Sequence, residues 1–130
     1  MSGVLKLVSA MMLSVWMVSA SVAQDLGALA RFEDGRFTDR WGGAELWLDI
    51  SQGVPWRVFT LTSPNRLVMD FREVQWGDVD PASLDSADSV TTLRMGGYRP
   101  GWSRLVAELA EPMQVESAEL VTNTTTGAAT

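Results

Sequence analysis

Two short stretches concentrate the residues best suited to holding a ligand. Tyr98, Arg99 and Trp102 crowd one turn around Pro100-Gly101, and Trp56-Arg57 open a segment that can flank it. Aromatic rings of this kind lie against the apolar faces of sugars, while the planar Arg fork matches a carboxylate with paired N–H donors. Arg66 and Arg104 join them through an internal repeat. Arg66-Leu67-Val68-Met69-Asp70-Phe71 and Arg104-Leu105-Val106-Ala107-Glu108-Leu109 share the order Arg, apolar, Val, apolar, acid, apolar, 38 residues apart. Within each copy the Arg and the acid are four residues apart. On a strand that separates them by about 13 Å, so neither pair can close on itself. Each Arg must find a partner across a strand or stand free on an outer face. The structural alternative is that Trp and Phe fill a small core and Arg makes cross-strand pairs. The ligand candidates are therefore Trp56, Arg57, Arg66, Tyr98, Arg99, Trp102 and Arg104.

Catalytic chemistry has little to work with. The chain has no His and no Cys, so the usual zinc, haem and iron–sulfur ligand sets and the Ser-His-Asp and Cys-His arrangements cannot be assembled. The acidic run Asp78, Asp80, Asp85 and Asp88 fails as a calcium loop: counted from Asp78, the positions that need Gly and Glu hold Ser83 and Ser89. Paired carboxylates for glycoside hydrolysis have no distinguishing spacing among 16 acidic residues. With only 10 basic residues the formal net charge is −6, which argues against a grip on nucleic-acid phosphates. No catalytic residue, metal site or cofactor is expected on this chain.

The elements that must position these residues read as strands. Ala44, Leu46, Leu48 and Ile50 alternate with Glu45, Trp47 and Asp49, the period of a half-buried strand. Trp56 to Leu61 follows the Gly53-Val54-Pro55 break, and Ser63-Pro64-Asn65 is a turn leading into Arg66 to Phe71. Asp80 ahead of Pro81 predicts one short helical turn. Thr91 to Met95 and Trp102 to Leu109 are further strands, and Met113 to Val121 is a weaker candidate. No stretch after residue 23 carries a 3.6-residue apolar stripe. The chain is expected to be all-β, a small sandwich of two sheets built from two similar hairpin units stacked face to face.

Residues 1–23 read as a signal peptide: Lys6, then an apolar run of 13 residues from Leu7 to Ser19, then Ser21-Val22-Ala23 as the cleavage signal. An uncleaved anchor is the alternative, at the lower length limit for a span. Cleavage leaves 107 of the 130 residues, with nine Arg as the only basic residues and a net charge of −7. Without Cys, this exported domain would be stabilised by its core alone. Residues 24–121 are expected to form the domain, and 122–130 a polar tail or the truncated end of the domain.

Val54 to Phe71, with Pro64 and Arg66-Leu67-Val68-Met69-Asp70-Phe71, resembles the "P-x-R-hydrophobic-V-hydrophobic-D-hydrophobic" core of the AMIN domain. Leu93-Arg94-Met95 through Trp102-Ser103-Arg104-Leu105-Val106-Ala107-Glu108-Leu109 resembles that family's second motif, and the likeness extends over Leu29 to Leu120. The resemblance implies a sandwich of two small sheets in the periplasm that binds peptidoglycan. In N-acetylmuramoyl-L-alanine amidases such a domain precedes a zinc-dependent catalytic domain and directs it to the division site, so zinc is expected only in that absent domain. Related copies precede secretin pores of type IV pili, which makes docking to envelope or division proteins the alternative. Nucleic acid is not an expected partner, and the membrane is met only during export.

Overall fold

The structure is a computed structural model that describes residues 29–130. The expected signal peptide lies outside the described residues. Among the described residues eight strands form two sheets, with one 3-10 turn beside them, so the all-β, two-sheet expectation holds.

The first sheet is organised by β1 (Ala30–Arg40), which pairs antiparallel with β2 (Gly43–Ile50) through a turn at Trp41-Gly42. Gly42 has φ of +82°, a conformation that glycine adopts without steric cost. On its other side β1 meets two short parallel partners, β5 (Val74–Gln75) and β6 (Asp85–Ser86). The second sheet has the order β3-β4-β8-β7, with β3 (Trp56–Leu61), β4 (Arg66–Arg72), β7 (Val90–Arg99) and β8 (Trp102–Leu109) all antiparallel. Chain passage from β4 to β5, that is from one sheet to the other, needs a sharp change of direction. Glu73 makes it at φ of +39°, and its N–H donates to the Gly101 carbonyl.

The main core lies between the sheets. Alternation along β8 sends Ser103, Leu105, Ala107 and Leu109 inward, where they meet Phe37, Leu48 and Ile50 of the first sheet. Ser103 Oγ donates to the Val74 carbonyl at 2.7 Å, joining the sheets at one end. Asp80 caps the 3-10 turn Pro81–Leu84 by accepting from the Ala82 N–H, as its position before Pro81 predicts.

Two expectations need correction, and one strand was not expected. The two repeat units do not stack face to face. Hairpins β3-β4 and β7-β8 lie side by side in one sheet, joined by β4 and β8. Met113 to Val121 is no strand; as far as Leu120 it runs without a ladder partner, Val121 alone pairing with Thr130, while Met113 and Leu120 pack on the core. And β1, the longest strand, has no clear sequence signature. Residues 122–130 fold back on the first sheet: Ile50 and Ala129 exchange backbone hydrogen bonds, Val121 and Thr130 do the same, and Ala129 is buried. Gly127, at φ of +81°, serves the turn between them.

Candidate functional site

The repeat acquires its meaning from the register of β4 against β8. Val68 of one copy lies opposite Val106 of the other, and antiparallel pairing about that point sets Asp70 opposite Arg104 and Arg66 opposite Glu108. Spacing an Arg and an acid four residues apart therefore places each copy's Arg against the other copy's acid. In the hairpins, Arg57 lies opposite Asp70 on β3, and Thr92 opposite Glu108 on β7.

These residues all face away from the main core, because they alternate with Leu67, Met69, Leu105 and Ala107. The outer face is nevertheless not simply solvated. Val68 is 2% exposed and Asp70 fully buried, although they point outward. Asp70 is covered by its own partners. Arg104 donates to it from Nε at 2.7 Å and from Nη2 at 3.0 Å, and Arg57 donates from Nε at 2.8 Å and closes an ion pair from Nη2 at 2.7 Å. The hydrogen bonds from Arg104 hold the Asp70 carboxyl below the usual carboxylate range, against the upward push of burial, and Arg57 adds to the lowering. The other half of the pseudo-symmetric pattern is spent differently. Arg66 donates to the backbone carbonyls of Pro64 and Thr62, and Glu108 accepts from Thr92 Oγ1. Among the described residues no ion pair joins Arg66 to Glu108.

Around the Asp70 clip the outer face carries alternating rings and guanidinium groups. Arg57 lies 5.4 Å from the Phe59 ring and Arg104 5.8 Å from it. Arg104 also sits 3.6 Å from the Tyr98 ring, and Arg99 is 5.6 Å from Tyr98 and 5.8 Å from Trp102. Arg72 completes the series at 5.6 Å from Trp102. The path Arg57, Phe59, Arg104, Tyr98, Arg99, Trp102, Arg72 is thus an unbroken ladder of cation–π contacts, crossing all four strands of the sheet. Each is worth about 0.5–1 kcal/mol at an exposed site, enough to fix side-chain direction without withdrawing the face from solvent. Tyr98 remains 44% exposed, and the Arg57 side chain 54%.

Of the residues expected from the sequence, the structure brings together Arg57, Tyr98, Arg99, Trp102 and Arg104. Trp56 is not among them: opposite Phe71 on the inner side of β3, it packs against the core. Arg66 lies at the far end of β4, held by the turn it follows. Phe59, Asp70 and Arg72 were not candidates; cross-strand register alone could have found Asp70 and Arg72, whereas Phe59 shares the outer face of β3 with Arg57 two residues away. Among the described residues no group of three or more acidic residues is placed to hold a metal ion, and no helix is long and apolar enough to cross a membrane.

A family model described as the AMIN domain matches residues 34–128. A search of curated proteins finds no match.

Proposed function

The chain belongs to the AMIN domain family, and on that premise we propose that the ladder on the outer face of the β3-β4-β8-β7 sheet is a peptidoglycan-binding surface. AMIN domains are non-catalytic peptidoglycan-binding and targeting modules found in periplasmic or secreted proteins. The observation that carries the assignment to this face is the alternation of exposed rings and guanidinium groups around a buried carboxylate. Rings offer flat apolar surfaces to sugar rings, and guanidinium forks offer paired donors to carboxylates. Preorganisation supports the reading, since side chains already fixed by the Asp70 clip and by cation–π contacts lose little further freedom on binding.

Each contact is weak, and a polymer with repeating chemistry multiplies it. Adsorption at several points raises the local concentration of whatever is attached to the module. In this reading the protein acts in the periplasm as the targeting module of an N-acetylmuramoyl-L-alanine amidase, whose zinc-dependent domain performs the hydrolysis. Trp56 and Arg66, placed away from the ladder, have no part in the surface.

The test is co-sedimentation of the purified full chain with isolated sacculi. Retention in the pellet, reversed by soluble wall fragments, is the expected result. A folded protein that stays in the supernatant would refute wall binding and favour docking to an envelope protein.

A further inference from the structure

Two rows of residues cross the ladder sheet, and they differ in how their charge is treated. In the first row Arg57, Asp70 and Arg104 lie opposite one another on β3, β4 and β8. A carboxylate occupies the centre and accepts hydrogen bonds from both neighbours, so two positive charges share one buried negative charge. In the next row Arg72, Trp102 and Arg99 lie opposite one another on β4, β8 and β7. Here the centre is an indole. Its quadrupole orients a guanidinium over the ring but leaves that charge uncompensated. Among the described residues neither Arg72 nor Arg99 has a hydrogen-bonded or ion-paired carboxylate. Both are exposed.

The second row is also held in place. Arg72 lies against the β7-β8 turn, where a Cβ on Gly101 would stand 3.8 Å from its Cζ and Nε. Gly101 takes φ of +81°, and its carbonyl accepts the Glu73 N–H next to Arg72. Two oriented, unneutralised cations flanking an indole are unusual on a chain whose formal net charge is −6. The protein as a whole repels anions, so attraction at this row must be local and short-ranged.

Building on the peptidoglycan reading of the face, we infer that the Arg72–Trp102–Arg99 row takes the free carboxylates of the wall polymer, while the Arg57–Asp70–Arg104 row is an internal clip that holds the face in shape. The module would then distinguish acidic from amidated wall material. The chemistry required is a carboxylate beside an apolar surface that can lie on the Trp102 ring. Peptide branches and lactyl groups can both present it.

The experiment measures binding of the full chain to sacculi before and after their carboxylates are converted to amides with a carbodiimide and ammonia. The wild type should lose about tenfold in affinity on amidation, the effect of one or two exposed charge-assisted contacts. An Arg72→Gln, Arg99→Gln double variant should bind both preparations at that lower level, with an unchanged far-ultraviolet spectrum and melting temperature. Arg66→Gln, at the far end of β4 away from the ladder, should keep the discrimination. Competition by acidic stem peptides would identify the peptide as the carboxylate source, and competition by peptide-stripped glycan would identify the lactyl group; either supports the inference. Equal binding of native and amidated sacculi by the wild type, or undiminished discrimination by the double variant, overturns it while leaving wall binding intact. Failure to bind either preparation overturns both readings together.

Discussion

Replacing Asp70 by Asn preserves the shape of the side chain and removes its charge. The Asp70 side chain is 1% exposed and receives hydrogen bonds from two guanidinium groups, of which Arg104 is 23% exposed and Arg57 54%. In the variant an amide N–H₂ would face guanidinium N–H groups that donate to the carboxylate in the native protein. Breaking a buried ion pair on one side costs about 3–5 kcal/mol, because the partner charge is left uncompensated. Arg57 can turn out into water and recover most of its share; Arg104, pinned beneath Tyr98, cannot. The expected loss is therefore at the lower end, about 3 kcal/mol, against about 0–1 kcal/mol for Arg57→Gln. For a domain of this size 3 kcal/mol corresponds to about 12–24 °C in melting temperature. Acidification supplies the internal control. Because folding lowers the Asp70 pKa, its contribution is fully present above the unfolded-state value near about 4 and disappears as the pH falls through the folded-state value. Urea unfolding of both proteins at pH 7 should show the full difference, and the two curves should converge well below pH 4. A loss under about 1 kcal/mol at pH 7, or a gap that does not narrow in acid, would refute the view that Asp70 organises the outer face.

Other perturbations separate the core, the turn and a second carboxylate. Leu105, fully buried between the sheets, should cost about 2–5 kcal/mol as Leu105→Ala in urea unfolding, without altering wall binding per folded molecule. Gly101→Ala forces a Cβ onto a residue at φ of +81° beside the Arg72 guanidinium; it should destabilise by about 1–3 kcal/mol and weaken sacculus binding as well. Asp39 accepts from the Ser89 hydroxyl and from the backbone N–H groups of Asp88 and Ser89, and the Ser89 hydroxyl is the largest cause of its lowered pKa. Its stabilising effect is thus present above about pH 4 and fades in acid, so Asp39→Asn should flatten part of the acid limb of the stability curve.

Strands were legible wherever one face was plainly apolar. β2, β4 and β8 show that alternation, β3 was read from its strand-forming Val, Phe and Thr after the Gly53-Val54-Pro55 break, and each begins and ends within a residue or so of its expected limits. β1 was hidden because a register irregularity between Phe32 and Asp34 interrupts its alternation, and because charged residues separate its buried Phe37 from Ala30. Met113 to Val121 misled in the opposite sense: Met113 and Leu120 suffice to anchor the segment on the core, and only its last residue, Val121, finds a backbone partner. The ligand candidates divide on the same principle. Tyr98, Arg99 and Trp102 could be grouped because a tight turn makes sequence neighbours into spatial neighbours. Arg72 could not, since it joins the ladder only through Trp102 on another strand, and Phe59, although two residues from Arg57 on β3, is tied to Arg104 only by the register of the sheet. Trp56 was misplaced because one residue along a strand exchanges the outer face for the inner one. Asp70 lay inside the repeat throughout. Its role follows once the two copies are paired antiparallel about Val68 and Val106, a step that stacking them face to face obscures.

Sacculus co-sedimentation of the full chain beside an Arg99→Ala, Trp102→Ala double variant tests the central claim most directly. Both side chains are on the outer face, at the hairpin end of the sheet, and neither belongs to the main core. The wild type should pellet with the sacculi, while the double variant remains in the supernatant with an unchanged circular dichroism spectrum. A folded double variant that pellets as well as the wild type would contradict the assignment of wall binding to this face.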